Sequence, residues 1–265
     1  NIKGGHFTSL RAWSYYNFNI GGLGYGSLNV SGGTVDTHGF MLGGKNGNTG
    51  IGIASIQNAT VSVDDNINVP YFGGVGVLTV GPNGILKRTS GTKTLQINQN
   101  GAGKGELNVL GGTVDNAASA LSIGTSSGVG GIAALNVNAG TLTVGYFNLG
   151  TGSANWSSYL NFNGGTLAAG TSSATTFIPG SFTGVYIRGP FGGYDGGAIV
   201  DTAEYTNTIA ANLLAPTGDG VSSATVADGG SGYIGAPYVS IVDLSGSGRG
   251  ATAIANMVDD GTGNG

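Results

Sequence analysis

The chain has no cysteine in 265 residues, so it carries neither disulfides nor thiolate metal ligands. Charge is nearly as scarce. Nine basic and 13 acidic residues make up 8% of the chain, against a usual share of about 25%. Nine scattered cations at a net charge of −4 form no basic footprint, which argues against nucleic acid as a partner. No apolar run reaches the ~18 residues of a membrane-spanning helix, so no membrane insertion is expected. What is plentiful is Gly (55), with 24 Asn, 26 Thr and 23 Ser, nearly half the chain together. Gly costs about 1 kcal/mol per interior helical position relative to Ala, which excludes a helical bundle. Disorder is excluded as well, because 39% hydrophobic residues, rich in Val, Ile and Leu, can bury a core. The composition reads as an all-β, repetitive, nearly uncharged protein.

One motif recurs. It runs Leu28-Asn-Val30-Ser-Gly-Gly-Thr-Val35, then Leu107-Asn-Val109-Leu-Gly-Gly-Thr-Val114, Leu135-Asn-Val137-Asn-Ala-Gly-Thr-Leu142 and Leu160-Asn-Phe162-Asn-Gly-Gly-Thr-Leu167. Weaker copies are Ala54-Ser-Ile56-Gln-Asn-Ala-Thr-Val61 and Leu78-Thr-Val80-Gly-Pro-Asn-Gly-Ile85. The copies start at 28, 54, 78, 107, 135 and 160, a period of about 26 residues. The first and third positions share one face of a strand while the second points away. A Gly-Gly corner then turns the chain, and the eighth position opens a second strand. All three inward positions are apolar in every copy. A third apolar stretch follows, as in Phe40-Met-Leu42, Ile67-Asn-Val69, Leu95-Gln-Ile97, Leu121-Ser-Ile123 and Phe147-Asn-Leu149.

Three strands and three corners per period predict one rung of a parallel β-helix, a β-solenoid of about 26 residues per rung. A propeller blade of roughly 40–50 residues is too long, and an antiparallel sandwich gives no reason for the return. In a solenoid, equivalent side chains stack at ~4.8 Å. Asn108, Asn136 and Asn161 should then form one ladder, and Thr113, Thr141 and Thr166 another.

The repeat, preceded by Gly-x-Gly as in Gly24-Tyr-Gly26 and Gly103-Lys-Gly105, resembles the passenger-associated β-strand repeats of bacterial autotransporter-like surface proteins. Gly196–Thr202, Leu213–Gly218 and the stretch from Gly229 to Ala253 resemble segments beside those repeats in very large exported proteins. The resemblance implies secretion, a right-handed parallel β-helix and a scaffold or adhesive role, and it supplies no catalytic residues. The membrane barrel of an autotransporter is not in this sequence. Asn1 follows no basic or apolar leader, so a signal peptide is expected to be removed or to lie outside the segment. The Gly-rich stretch 261–265 reads as part of a longer polypeptide.

Three regions are expected: an aromatic cap or docking segment at 1–20, the β-helix at 21–195, and a small C-terminal β region or cap at 196–265. Within the first, Phe7, Trp13, Tyr15, Tyr16 and Phe18 are the candidate subunit contacts.

Candidates for chemistry are few. The histidines, His6 and His38, have no partner at ligand spacing. Glu106 and Glu204 are the only glutamates, and Asp64-Asp65, Asp195, Asp201 and Asp259-Asp260 read as corner residues rather than paired glycosidase acids. Arg11, Arg88, Arg188 and Arg249 show no acidic cluster at one-rung spacing. Gly192-Gly-Tyr-Asp195 is half of a calcium-roll motif, present once and short of ligands. No catalytic residue, metal or cofactor is expected. Sequons at Asn29, Asn58 and Asn155 are candidate glycosylation sites.

The sequence therefore points to a non-enzymatic extracellular structural protein on a bacterial surface, a stalk, adhesin scaffold or filament subunit that associates with itself head to tail. The alternative is a β-helix that binds or degrades polysaccharide, with Trp156, Tyr159 and Tyr146 stacking sugars and surface glycans as partners.

Overall fold

A rung of 26 residues cannot pair its own backbone or cover its own apolar side chains, so its neighbours must do both. The computed structural model describes residues 1–9, 18–44, 47, 49–99, 102–124, 130–150, 156–170, 176–217, 221, 223–233, 236–245 and 251–258. Among these residues the regular structure is entirely strand, stacked in parallel as a β-solenoid of about seven turns.

The first face stacks 25–30, Ile51–Ile56, Val75–Val80, 104–109, 132–137, Ser157–Phe162, Gly184–Ile187 and Leu213–Leu214. The second stacks 6–9, 34–37, Thr60–Val63, Ile85–Arg88, 113–116, 141–144, Thr166–Ala169 and Ile199–Asp201. The third stacks Phe18–Ile20, Phe40–Leu42, Ile67–Val69, Leu95–Ile97, 121–123 and 147–149. Thr176–Ile178 and Thr208–Ile209 pair with each other next to that column, and the Phe177 ring sits 6.3 Å from Phe147.

The register follows the motif residue by residue. Leu28, Ala54, Leu78, Leu107, Leu135 and Leu160 are successive partners on one wall, and all are buried. One inward assignment is corrected. Val61 and Val114 both pair with Leu86 rather than Ile85; Leu86 is 1% exposed and Ile85 39%. The corner from Gly81 to Gly84 holds one residue more than its equivalents, with Asn83 in the left-handed region at φ 55°. An extra residue reverses which side chains face in, because the strand period is two.

The glycine preceding the motif has a steric cause. Gly26, Gly52, Gly76 and Gly105 form an inward column. There the corner arriving from the third face presses against the first. A Cβ at Gly105 would stand 2.2 Å from the Val69 carbonyl oxygen, and one at Gly52 2.3 Å from the Gly43 nitrogen. At the next rung the same place holds Ala133, fully buried.

The hydrophobic core is one cluster, running from Ile20 to Val185. Aromatic rings fill it toward both ends. Phe7 and Phe18 of the first rung and Phe40 of the second follow one another with centroids 5.5 and 6.0 Å apart. Phe147 meets Phe182 edge to face at 5.4 Å toward the other end. The stack runs on past residue 195 through Ile199–Asp201 and Leu213–Leu214. The chain then leaves the stack. Residues 233, 236–239, 241 and 251–257 lie along the outer side of the first face.

Val137 is fully buried at mid-stack, so Val137→Asp would bury an unpaired charge at a cost of about 3–5 kcal/mol. Thermal or urea unfolding should show that loss. A variant that melts like the native chain would contradict the register.

Candidate functional site

The outward positions of a solenoid strand normally face water. On the first face several do not. Ile53 and Val77 point away from the core yet are 7% exposed, and Ala134 is 1% exposed. Their cover is the C-terminal segment. The Tyr25 hydroxyl donates to the Ala236 carbonyl at 3.1 Å, the Asn136 amide reaches Thr252 Oγ1 at 3.4 Å, and Tyr238 and Ile254 form an antiparallel bridge within the segment. A second, thinner layer thus closes over one side of the solenoid and leaves two clefts beneath it.

The asparagine ladder forms the floor of the second cleft. Asn136 Nδ2 donates to Asn108 Oδ1 at 2.7 Å, and Asn161 Nδ2 to Asn136 Oδ1 at 2.8 Å. Asn108 and Asn136 are buried, and Asn161 is half-buried. The threonine ladder forms on the second face, with Thr113, Thr141 and Thr166 in register.

Glu106 lies under the same cover. Burial pushes its carboxyl up to about 7 from the ordinary 4.5, although the Asn108 amide and Lys104 both favour the charged form. Tyr238 is raised too, by burial first and by Glu106 second. Below about 4.5, folded and unfolded chains are both protonated at this site. Between about 4.5 and about 7 the unfolded chain gives up its proton first, so stability falls as pH rises and then levels off. Glu106→Gln removes that contribution. Its melting temperature should fall less than that of the native chain between pH 5 and pH 8, read by circular dichroism. Equal slopes would show that Glu106 is not covered.

A second cluster sits at a corner between the second and third faces. His38 Nδ1 meets Asp64 at 2.6 Å and His38 Nε2 meets Asp65 at 3.2 Å, while Lys93 reaches Asp65 at 3.2 Å. Arg88 lies close enough to feel Asp65, although burial dominates and lowers its guanidinium to about 10. The Asp64-Asp65 pair thus stands one rung from Arg88, where no acidic cluster at that spacing was expected. The residues belong to three successive rungs and are 23–28 positions apart, so the signal was the repeat period itself. Chemically the cluster is a lock. Asp65 is shared between the Asn66 backbone N–H, His38 and Lys93, while Asp64 pairs with His38 and keeps 46% of its side chain exposed.

The other singled-out residues are dispersed. His6 bonds Thr34 and Thr8 and lies 3.5 Å from Asp36. Asp201 bonds the Ala203 N–H at a turn. Gly192 and Gly193 make a tight reversal bridged by Phe191 and Tyr194. Among the described residues no three metal-ligating side chains come together. Asn29 accepts from Ser55 Oγ at 3.0 Å and lines the first cleft, whereas Asn58 is exposed at a corner. Of the aromatic start, Phe7 and Phe18 belong to the first rung. Arg11, Trp13, Tyr15, Tyr16, Asn155, Arg249 and Asp259-Asp260 lie outside the described residues. Trp156, Tyr159 and Tyr146 do not form one platform. The Trp156 ring lies against Gly124 and Gly131, Tyr146 is exposed elsewhere, and Tyr159 stacks with Tyr186 at 6.4 Å.

Compared with models of protein families, with curated proteins and with solved structures, the chain matches none.

Proposed function

We propose that the protein is a non-enzymatic structural element of a bacterial cell surface, a solenoid rod that serves as stalk, adhesin scaffold or filament subunit. The observation that carries this reading is the unbroken core from Ile20 to Val185. Parallel ladders on three faces and one dry interior make a stiff rod whose strength is spread over every rung. The corner cluster at His38 ties three successive rungs together through ion pairs. The resemblance of the repeat to exported surface proteins supports an extracellular setting.

Self-association follows from the rod's ends. On the last rungs Ile199, Leu213 and Leu214 are 55%, 47% and 40% exposed, and at the opposite end Phe7 is 39% exposed. Open strand edges with apolar side chains template further pairing. The two ends differ, so contact between them is heterologous and builds fibres instead of closed dimers. Light scattering of the purified chain should show mass growing with concentration and negative staining should show filaments, while Leu213→Glu should abolish both. A chain that stays monomeric at high concentration would defeat the filament reading and leave the rod. Antibody labelling of intact producing cells tests the surface location, and labelling only after permeabilisation would oppose it.

A further inference from the structure

We propose that the second cleft, between the first face and the C-terminal segment, binds a neutral oligosaccharide. This goes beyond the structural role and does not depend on it. The cleft holds about 970 Å³. Its floor is the amide ladder of Asn108, Asn136 and Asn161, continued in register by Tyr186. Beside the ladder, Tyr159 and Tyr186 stack at 6.4 Å with their planes 29° apart. Ile241 and residues 251–254 supply part of the facing wall.

The chemistry selects the ligand. An amide offers both donors and acceptors; Asn161 Nδ2 keeps one hydrogen beyond its bond to Asn136, while the second hydrogen of Asn136 faces Thr252 Oγ1 across the cleft. Such pairs match sugar hydroxyls, which also donate and accept. The tyrosine faces match the C–H faces of sugar rings, and their hydroxyls stay polar. The amides repeat at the rung spacing of ~4.8 Å, comparable with the length of a sugar ring. Asn163 gives an independent sign. It is 3% exposed and lines the cleft, with its Nδ2 donating to the Phe191 carbonyl at 3.0 Å. Its Oδ1 is buried and has no hydrogen-bond partner. A buried acceptor left unpaired is costly, and a hydroxyl entering the cleft would satisfy it.

Other ligand classes fit less well. A peptide adding as a strand needs a free backbone edge, yet the strands under the cleft are paired on both sides from 104 to 162. A polyanion needs several cations, and among the described residues Arg188 is the one cation lining the cleft.

The test titrates the native chain by calorimetry with hexasaccharides of β-1,4-linked glucose, β-1,4-linked N-acetylglucosamine and α-1,4-linked glucose, with hexagalacturonate as an acidic probe. At least one neutral probe should bind, and NMR should place the perturbed tyrosine rings at Tyr159 and Tyr186. Tyr159→Ala and Tyr186→Ala, both outward-facing, should weaken binding at least about tenfold with an unchanged melting temperature, and Tyr159→Phe should retain it. The NMR arm stands even where an alanine variant fails to fold. The proposal is overturned if no neutral probe binds at millimolar concentration, if only the acidic probe binds, or if the perturbed rings lie elsewhere.

Discussion

A single turn of this chain satisfies almost none of its own requirements. Its strands have no partners within the turn, and its Leu, Val and Ile side chains would stand in water. Both needs are met only by another turn in register above or below, and that dependence accounts for most of what is seen. It explains why the inward positions are apolar at every rung. It explains why a glycine column lines the tight corner at Gly52, Gly76 and Gly105, where backbone crosses within reach of a Cβ. It also explains why identical polar residues end up as neighbours. Asn108, Asn136 and Asn161 hydrogen-bond only because the stack aligns them.

The same dependence leaves the ends and the outside to be managed separately. Rings of Phe fill the core near both ends, yet apolar side chains remain exposed there. Along one side the C-terminal segment adds a cover that no rung requires. It covers Glu106 and closes the two clefts.

Much of the rung was legible in the sequence because it is a local pattern repeated. The wall from Leu28 to Leu160 and both polar ladders follow directly from the motif spacing. The one inward slip, Ile85 for Leu86, arose where Gly81-Pro-Asn-Gly84 lengthens a corner by one residue. The site was less legible. The His38–Asp64–Asp65–Lys93 lock needs residues compared across one period rather than within a motif. The covered side had a readable signal in Ile51-Gly-Ile53 and Val75-Gly-Val77, where the outward positions are as apolar as the inward ones. Which segment supplies the cover was not readable, because the covering residues, Ala236, Tyr238 and Thr252 among them, carry no repeat.

The central claim is the register of one rung upon the next, and the cysteine-free chain offers a direct measurement of it. Thr113 and Thr141 are partners on adjacent strands, about 4.8 Å apart, within the Cα separation that a disulfide spans. A chain carrying Thr113→Cys and Thr141→Cys should oxidise quickly to an intrachain disulfide, detected as the loss of two free thiols in the monomer. The offset pair Thr113→Cys and Thr143→Cys, two positions further along the strand, should stay reduced under the same conditions. Equal oxidation of both pairs, or preference for the offset one, would contradict the stack.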